Sequence, residues 1–145
     1  MEMRDTDLWR PAPYALKAGA IIFHGTNRDF DEASLRRQSW LSHSRKVAEH
    51  FATWKMDDGV PRVATYRTDC DLTLCLIRGK ADLLNLEEYF GVVTSDAESM
   101  AETFSRYVDG FDGWIIPKNY PDGGDDIMLI RTDRLIHLKT ENLPR

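Results

Sequence analysis

The sequence predicts an α+β domain in which small, twisted and mostly antiparallel sheets are flanked by helices. Short apolar runs rich in β-branched and aromatic residues indicate strands. Segments with helical apolar spacing separate several of these runs, but the two kinds of element do not alternate as regularly as in a doubly wound βαβ fold. With 145 residues the chain has the length of one domain, so we expect a single domain over residues 1–145.

The N-terminal segment, residues 1–17, contains Pro11 and Pro13 and predicts an irregular arm packed on the core. Its apolar side chains available for packing are Leu8, Trp9 and Tyr14. After the arm we expect a strand over 18–23, a short helix over 31–38 and a brief extended piece over 39–42.

The next helix has a clear start, because Ser44 can cap it. We expect this helix over 44–55, with the Asp-Asp-Gly segment 57–59 ending it. Its apolar pairs at i,i+4 are Val47 with Phe51 and Ala48 with Ala52.

The second half of the chain predicts further strands and two helices. Strands are expected over 63–67, 72–78, 114–116, 127–130 and 135–138, and the turn-rich loop over 117–124. One helix is expected over 82–90. A capping box at 95–98 begins the other, which Gly110 ends. The apolar stripe of that second helix comprises Met100, Phe104, Tyr107 and Val108.

Composition excludes several classes of protein. The net charge of −5 disfavours a protein that holds nucleic acid by neutralising phosphates. No apolar run approaches the length of about 18–20 residues that spans a bilayer, and the acidic N-terminus does not resemble a secretory signal, so we expect a cytoplasmic protein. Cys70 and Cys75 lack Cys or His partners at zinc spacing, which predicts reduced thiols and no metal site.

The first motif with chemical potential is His24-Gly25-Thr26, directly after an apolar strand. A neutral imidazole both donates and accepts hydrogen bonds. Glycine lets main-chain atoms approach a flat ligand closely. The motif therefore predicts a cleft edge at this strand end.

The second motif joins Trp40 and Ser42 to the helix that carries Phe51, eleven positions after Trp40. Aromatic rings of this kind suit a planar aromatic ligand. The third motif is the Phe-Asp-Gly segment 111–113 followed by the acidic pair Asp125 and Asp126 at the start of a strand.

In this order the three motifs resemble the ADP-ribosyltransferase fold family, in the branch that has histidine, aromatic and acidic residues in successive motifs. The resemblance covers 20–54 and 110–138. It implies a cleft between sheets that binds NAD as a substrate, without a metal, and a glycosyltransferase reaction that moves ADP-ribose to a macromolecule, most simply a protein. Small members of this kind include bacterial toxins, phage effectors and phage inhibitors of CRISPR complexes, so a neutralising protein partner is also implied.

The resemblance assigns a role to each motif residue. His24 would bind ribose hydroxyls, the Gly25 backbone the nicotinamide carboxamide, and Thr26 would lie near the adenosine half. Trp40 would line the nicotinamide pocket, Phe51 would stack on the ring, and Ser42 would reach the ribose or carboxamide.

The catalytic position of the resemblance falls on Asp126, where the family usually has glutamate, and Asp125 is the competing acid. A carboxylate there would stabilise the oxocarbenium-like ribose that forms when nicotinamide leaves. We expect His24 and Asp126 on adjacent strands facing one cleft. For the NAD pyrophosphate the basic candidates are Arg28, Arg36, Arg37 and Arg45, among which Arg37 is preferred.

Structural alternatives to these roles stay open. His24 can be a strand-end residue bonded to a carbonyl, Trp40 a strand anchor, Phe51 a core residue, and 122–126 a polar turn. Three functional alternatives also remain: NAD hydrolysis, a catalytically silent module that binds a protein, and an RNA 2′-phosphotransferase, which the acidic balance disfavours.

Overall fold

The computed structural model describes residues 9–27, 39–54 and 59–144. Its strands are β1 (Ala12–Leu16), β2 (Ile21–Thr26), β3 (Trp40–Leu41), β4 (Arg62–Thr68), β5 (Leu72–Leu76), β6 (Gly113–Ile116), β7 (Asp126–Leu129) and β8 (Leu135–Asn142). Its helices are α1 (Arg45–Thr53), α2 (Lys80–Phe90) and α3 (Ala97–Tyr107). The short helix expected over 31–38 lies outside the described residues.

The strands form two sheets. The larger has the order β1-β5-β6-β7-β3 and the smaller the order β2-β4-β8. Every pair is antiparallel except β5 with β6. The expectation of small, mostly antiparallel sheets with helices beside them is therefore confirmed.

The two sheets meet where β2 passes the end of β3. The amide of Phe23 donates to the carbonyl of Ser42 at 2.8 Å, and the Ser42 amide donates back to the Phe23 carbonyl at 3.0 Å. Because β3 also pairs with β7, the three motif strands β2, β3 and β7 are neighbours across this junction.

The larger sheet is covered on both faces. Between the sheets, Ile127 of β7 and Leu41 of β3 pack in one apolar cluster with Ile22 of β2. On the opposite face, Met128 and Trp114 pack with side chains of α2 and α3. Alternate residues of β7 thus enter two different cores, as the two-residue period of a strand requires.

The N-terminal arm differs from its prediction. Residues 12–16 are not irregular but form β1, which pairs along its length with β5. Pro13 is tolerated because β1 is an edge strand, where a residue without an amide hydrogen removes no bond from a second neighbour. As expected, Trp9 and Tyr14 pack against the two cores, whereas Leu8 lies outside the described residues.

The helices begin close to where the sequence predicts. The Ser44 side chain accepts from the Val47 amide and caps α1, and Asp96 caps α3 by accepting from the Ser99 amide. The predicted apolar stripe of α3 is wrong at one residue: Tyr107 is 51% exposed, while Met100, Phe104 and Val108 are buried. No helix among the described residues has the length and apolarity to cross a membrane.

The last strand is longer than expected. Residues 139–142, which follow the predicted piece 135–138, continue β8 along β4. These added residues are Lys139, Thr140, Glu141 and Asn142, and their polar side chains suit an edge strand with a solvent-facing side.

Candidate functional site

The two acidic residues at the start of β7 have different partners. Asp125 contacts the segment that joins β3 to α1, whereas Asp126 contacts the loop over 117–124. Successive side chains of a strand point in opposite directions, which explains the divergence. The two residues that compete for the catalytic role in the sequence analysis therefore lie in different environments.

Asp126 is buried and accepts hydrogen bonds at both carboxylate oxygens. The Asn119 side-chain amide donates to Oδ2 at 2.7 Å, and the Tyr120 hydroxyl lies 2.9 Å from Oδ1 and 3.0 Å from Oδ2. Burial raises the pKa of Asp126, the negative charge of Asp125 adds to this rise, and the Asn119 and Tyr120 donors oppose it. Two donors aimed at one carboxyl suit its ionised form, which only accepts.

Asp125 joins β7 to the entrance of α1. Its Oδ1 accepts from the Ser42 hydroxyl at 2.7 Å and from the His43 amide at 2.9 Å, and its Oδ2 lies 2.7 Å from His43 Nδ1. Burial alone would raise the pKa of Asp125, but these bonds from His43 and Ser42 outweigh it and the pKa is lowered. His43 is therefore a hydrogen-bond partner of Asp125 through both its amide and its ring.

His24 is held by a main-chain group of the neighbouring strand. Its Nδ1 lies 2.7 Å from the carbonyl oxygen of Trp40. A carbonyl can only accept, so Nδ1 carries the proton. Burial lowers the pKa of His24 although the Trp40 carbonyl opposes this, so the neutral ring is favoured and Nε2 acts as a hydrogen-bond acceptor.

His24 and Asp126 are not on adjacent strands, contrary to expectation. His24 lies in β2 and Asp126 in β7, with β3 between them. Their hydrogen bonds link them to different segments, His24 to β3 and Asp126 to the 117–124 loop. The two residues flank one strand rather than forming a contacting pair.

Gly25 makes a close approach, but to a helix. A Cβ atom on Gly25 would lie 1.7 Å from the carbonyl oxygen of Ala48 in α1. The absent side chain therefore lets α1 pack directly on β2. Thr26 ends the same strand opposite Arg62 of β4.

Phe51 lies on α1 and faces the loop that holds Asp126. Its ring meets the Tyr120 ring edge to face, with centroids 6.5 Å apart and planes at 89°. Beside this contact, a cavity of about 420 Å³ opens between α1 and the loop. Its lining residues are Lys46, Val47, His50, Tyr120, Pro121 and Asp122.

Trp40 and Ser42 are integrated into the core. The Trp40 ring packs edge to face on Trp114 with centroids 6.2 Å apart, on the side of the sheet that the helices cover. Ser42 is 1% exposed and donates to Asp125. Both residues therefore have structural partners within the chain.

The basic candidates are placed only in part. Arg45 donates to Glu49 at 3.0 Å and to Glu141 at 2.8 Å. Its charge thus bridges α1 and β8. Arg28, Arg36 and Arg37 lie outside the described residues.

Side chains that could ligate metals, and both cysteines, can be located in the part of the chain that is described. Over 9–27, 39–54 and 59–144 no group of three His, Cys, Asp or Glu side chains is arranged to hold a metal ion. Cys70 and Cys75 are both free thiols. Burial raises the pKa of Cys75 to about 12, so this thiol is not a nucleophile at neutral pH.

Comparison with known proteins gives a likeness of structure. No family model matches the chain, and no curated protein matches its sequence. The fold is similar to that of MbcT in the crystal structure of the M. tuberculosis MbcT–MbcA toxin–antitoxin complex, with a TM-score of 0.53 and 11% sequence identity. The match covers 89% of this chain and 86% of that chain.

The likeness to MbcT is one of fold.

Several residues of the site are not indicated by the sequence motifs. Asn119 and Tyr120 hold Asp126, and His43 pairs with Asp125. A fourth is Asn27, which is buried and donates from its side chain to the carbonyls of Ala52 and Trp54 at the end of α1. The sequence signals for this role are the position of Asn27 directly after a strand and its side-chain amide, since amides often donate to the last carbonyls of a helix.

Proposed function

We propose that this protein is an NAD-dependent mono-ADP-ribosyltransferase of the toxin or effector type, which modifies a macromolecule and most simply a protein. The observation that carries the proposal is that β2, β3 and β7 are neighbours, so that the three separate motifs meet at one junction. Nothing in the local sequence requires this convergence, and a shared ligand explains it.

The geometry supports a role for each side of the junction. With Nδ1 bonded to the Trp40 carbonyl, the neutral His24 ring has its lone pair on Nε2, and such an atom can accept from a ribose hydroxyl. Phe51 offers an aromatic ring near Asp126 through Tyr120, which suits a planar ring such as nicotinamide. The remaining NAD contacts of the proposal are the Gly25 backbone, Thr26 and Arg37, whereas Trp40 and Ser42 act from within the core by supporting β3 and Asp125.

In the proposed reaction the bond between nicotinamide and ribose breaks, and its electron pair leaves with nicotinamide. The positive charge that develops on the ribose is stabilised by the carboxylate of Asp126. A nucleophile of the target then bonds to the same ribose carbon and loses its proton. Asp125 is the weaker candidate for this role, because Ser42 and His43 already occupy its two oxygens.

The likeness to MbcT supports a toxin-like role and a protein partner. That toxin is seen in complex with its antitoxin MbcA. By analogy, this protein would be neutralised in its own cytoplasm by a partner protein.

Incubation of the purified protein with labelled NAD and a cell lysate tests the proposal. We expect release of nicotinamide together with label on a macromolecule, and a loss of at least about 100-fold for Asp126→Asn. Asp125→Asn should lose less. Asp133→Asn is the matched control, because Asp133 forms an exposed ion pair with Arg131 on a loop beyond β7.

Each other outcome contradicts the proposal in its own way. Nicotinamide release without labelled macromolecule would indicate NAD hydrolysis. Loss of a 2′-phosphate from RNA, with that phosphate recovered on labelled ADP-ribose, would indicate the phosphotransferase. Neither release nor label, from a folded protein that retains a protein partner, would indicate a silent binding module.

A further inference from the structure

We infer that Tyr120 is a positioning residue that fixes the orientation of the Asp126 carboxylate, with Phe51 holding the tyrosine ring in place. This inference rests on the proposed function insofar as Asp126 is the catalytic acid. The contacts on which it is based do not depend on that function.

The Tyr120 hydroxyl contacts both oxygens of Asp126 at nearly equal distances, 2.9 Å and 3.0 Å. Asn119 donates to the second oxygen alone at 2.7 Å. One donor between the oxygens and one on a single oxygen define both the position and the rotation of the carboxyl plane. The Tyr120 hydroxyl therefore helps to orient the carboxylate, which an exchanging solvent molecule would not do.

The loop holds Tyr120 through its main chain. The Tyr120 amide donates to the Gly124 carbonyl at 3.2 Å, and the Gly123 amide donates to the Tyr120 carbonyl at 2.9 Å. These two bonds close a turn directly before β7. The backbone that carries the hydroxyl is therefore fixed relative to the strand that carries Asp126.

The aromatic ring is held from the other side by α1. The Phe51 ring stands at 89° to the Tyr120 ring, in the edge-to-face geometry that aromatic pairs favour. A chain of contacts thus runs from Phe51 through Tyr120 to Asp126. A shift of α1 would be transmitted to the carboxylate along this chain.

The charge balance at Asp126 gives the hydroxyl a measurable effect. The groups that act on this carboxyl are the donors Tyr120 and Asn119, which favour the ionised form, and the negative Asp125, which disfavours it. Burial and the neighbouring Asp126 raise the pKa of Tyr120, so the phenol stays protonated and remains a donor at neutral pH. Removal of the hydroxyl should therefore raise the pKa of Asp126.

The test uses Tyr120→Phe, which removes the hydroxyl and keeps the ring against Phe51. We expect NMR of the Asp126 carboxyl carbon to show a titration midpoint about one pH unit higher than in the wild type. Nicotinamide release should show a kcat about tenfold lower because the carboxylate is misoriented, little change in KM for NAD, and an acid limb of the pH profile that moves to higher pH together with the Asp126 midpoint.

The control is Tyr107→Phe, which makes the same chemical change on an exposed residue of α3 and should shift neither value. Asn119→Ala is a second variant and should also raise the Asp126 midpoint. An unchanged midpoint in Tyr120→Phe overturns the inference, and a shift in Asn119→Ala alone would then assign the role to Asn119. Full activity of Asp126→Asn overturns the proposed function instead, and the NMR titration still decides the role of Tyr120.

Discussion

Gly25 illustrates how one residue can meet a structural demand where the sequence motif predicts a ligand contact. The motif indicates glycine at a cleft edge, and the structure does place a close contact there. That contact is the carbonyl of Ala48, at a distance of 1.7 Å from any added Cβ. The glycine is therefore required by helix packing, whatever its backbone binds.

Gly25→Ala should lower the free energy of unfolding by about 3 kcal/mol, because the new methyl group must displace the backbone of α1. Urea denaturation followed by circular dichroism measures the change. The control Gly79→Ala adds a methyl group where no atom lies within 4 Å, and it should cost no more than about 1 kcal/mol. Equal losses in the two variants would contradict the packing explanation.

Single residues also show where sequence reasoning stops. The identification of Asp126 as a candidate acid follows from its place directly before an apolar strand. Its donors Asn119 and Tyr120 do not, because they lie in a loop whose residues follow no periodic pattern. The pairing of His43 with Asp125 joins residues 82 positions apart, a separation that no local pattern encodes.

At the scale of elements, α2 is anchored at its first turn by one buried acid. Asp82 accepts from the backbone amide of Arg78 at 2.8 Å and from its guanidinium at 2.9 Å and 3.2 Å. The Arg78 guanidinium and amide lower the pKa of Asp82 although burial opposes them. The acid is therefore ionised in the folded protein below the pH at which it would titrate in the unfolded chain.

Asp82→Asn should lower the free energy of unfolding by about 1–3 kcal/mol at pH 7. A lowered folded pKa contributes stability above the unfolded value, and this contribution is lost as pH falls through the folded pKa. The difference between variant and wild type should therefore shrink as pH falls below about 4.

Urea titrations at several pH values measure this dependence. Asp109→Asn, at an exposed carboxylate after α3, is the control and should change stability by less than about 0.5 kcal/mol. A difference for Asp82→Asn that is independent of pH would contradict the role of its charge.

The sequence predicts some helices and strands better than others. The start of α1 is predictable because a Ser44 cap and apolar pairs are local signals. β1 is not, because its residues become a strand only by pairing with β5, about sixty positions away, and its prolines indicate irregular chain. Tyr107 is exposed because it lies at the margin of a helix face whose centre is Met100, Phe104 and Val108.

For the whole molecule, the two apolar cores share one sheet. Leu74 enters the core between the sheets, and its neighbour Cys75 enters the core beneath the helices. A sheet shared in this way should couple the two cores. The mostly antiparallel character is predictable from the pattern of strands, but the order β1-β5-β6-β7-β3 depends on long-range pairing that one sequence does not reveal.

Leu74→Ala should reduce the free energy of unfolding by about 2–5 kcal/mol and keep a single transition. Tryptophan fluorescence reports mainly the helix-side core, because Trp9, Trp40 and Trp114 pack there and the fourth tryptophan, Trp54, is exposed. This fluorescence and circular dichroism should give the same lowered midpoint. A fluorescence midpoint that stays at its wild-type value would show that the cores unfold independently.

The junction of Phe23 with Ser42 has one more consequence for the molecule. Two amide-to-carbonyl hydrogen bonds there join two sheets whose strands otherwise pair only within their own sheet. A substitution at Phe23 or Ser42 that moves this backbone contact would shift one sheet against the other and leave the strand pairing within each sheet unchanged. Such a shift would also move His24 of β2 relative to Asp126 of β7, so this one backbone contact sets the distance between the two proposed site residues.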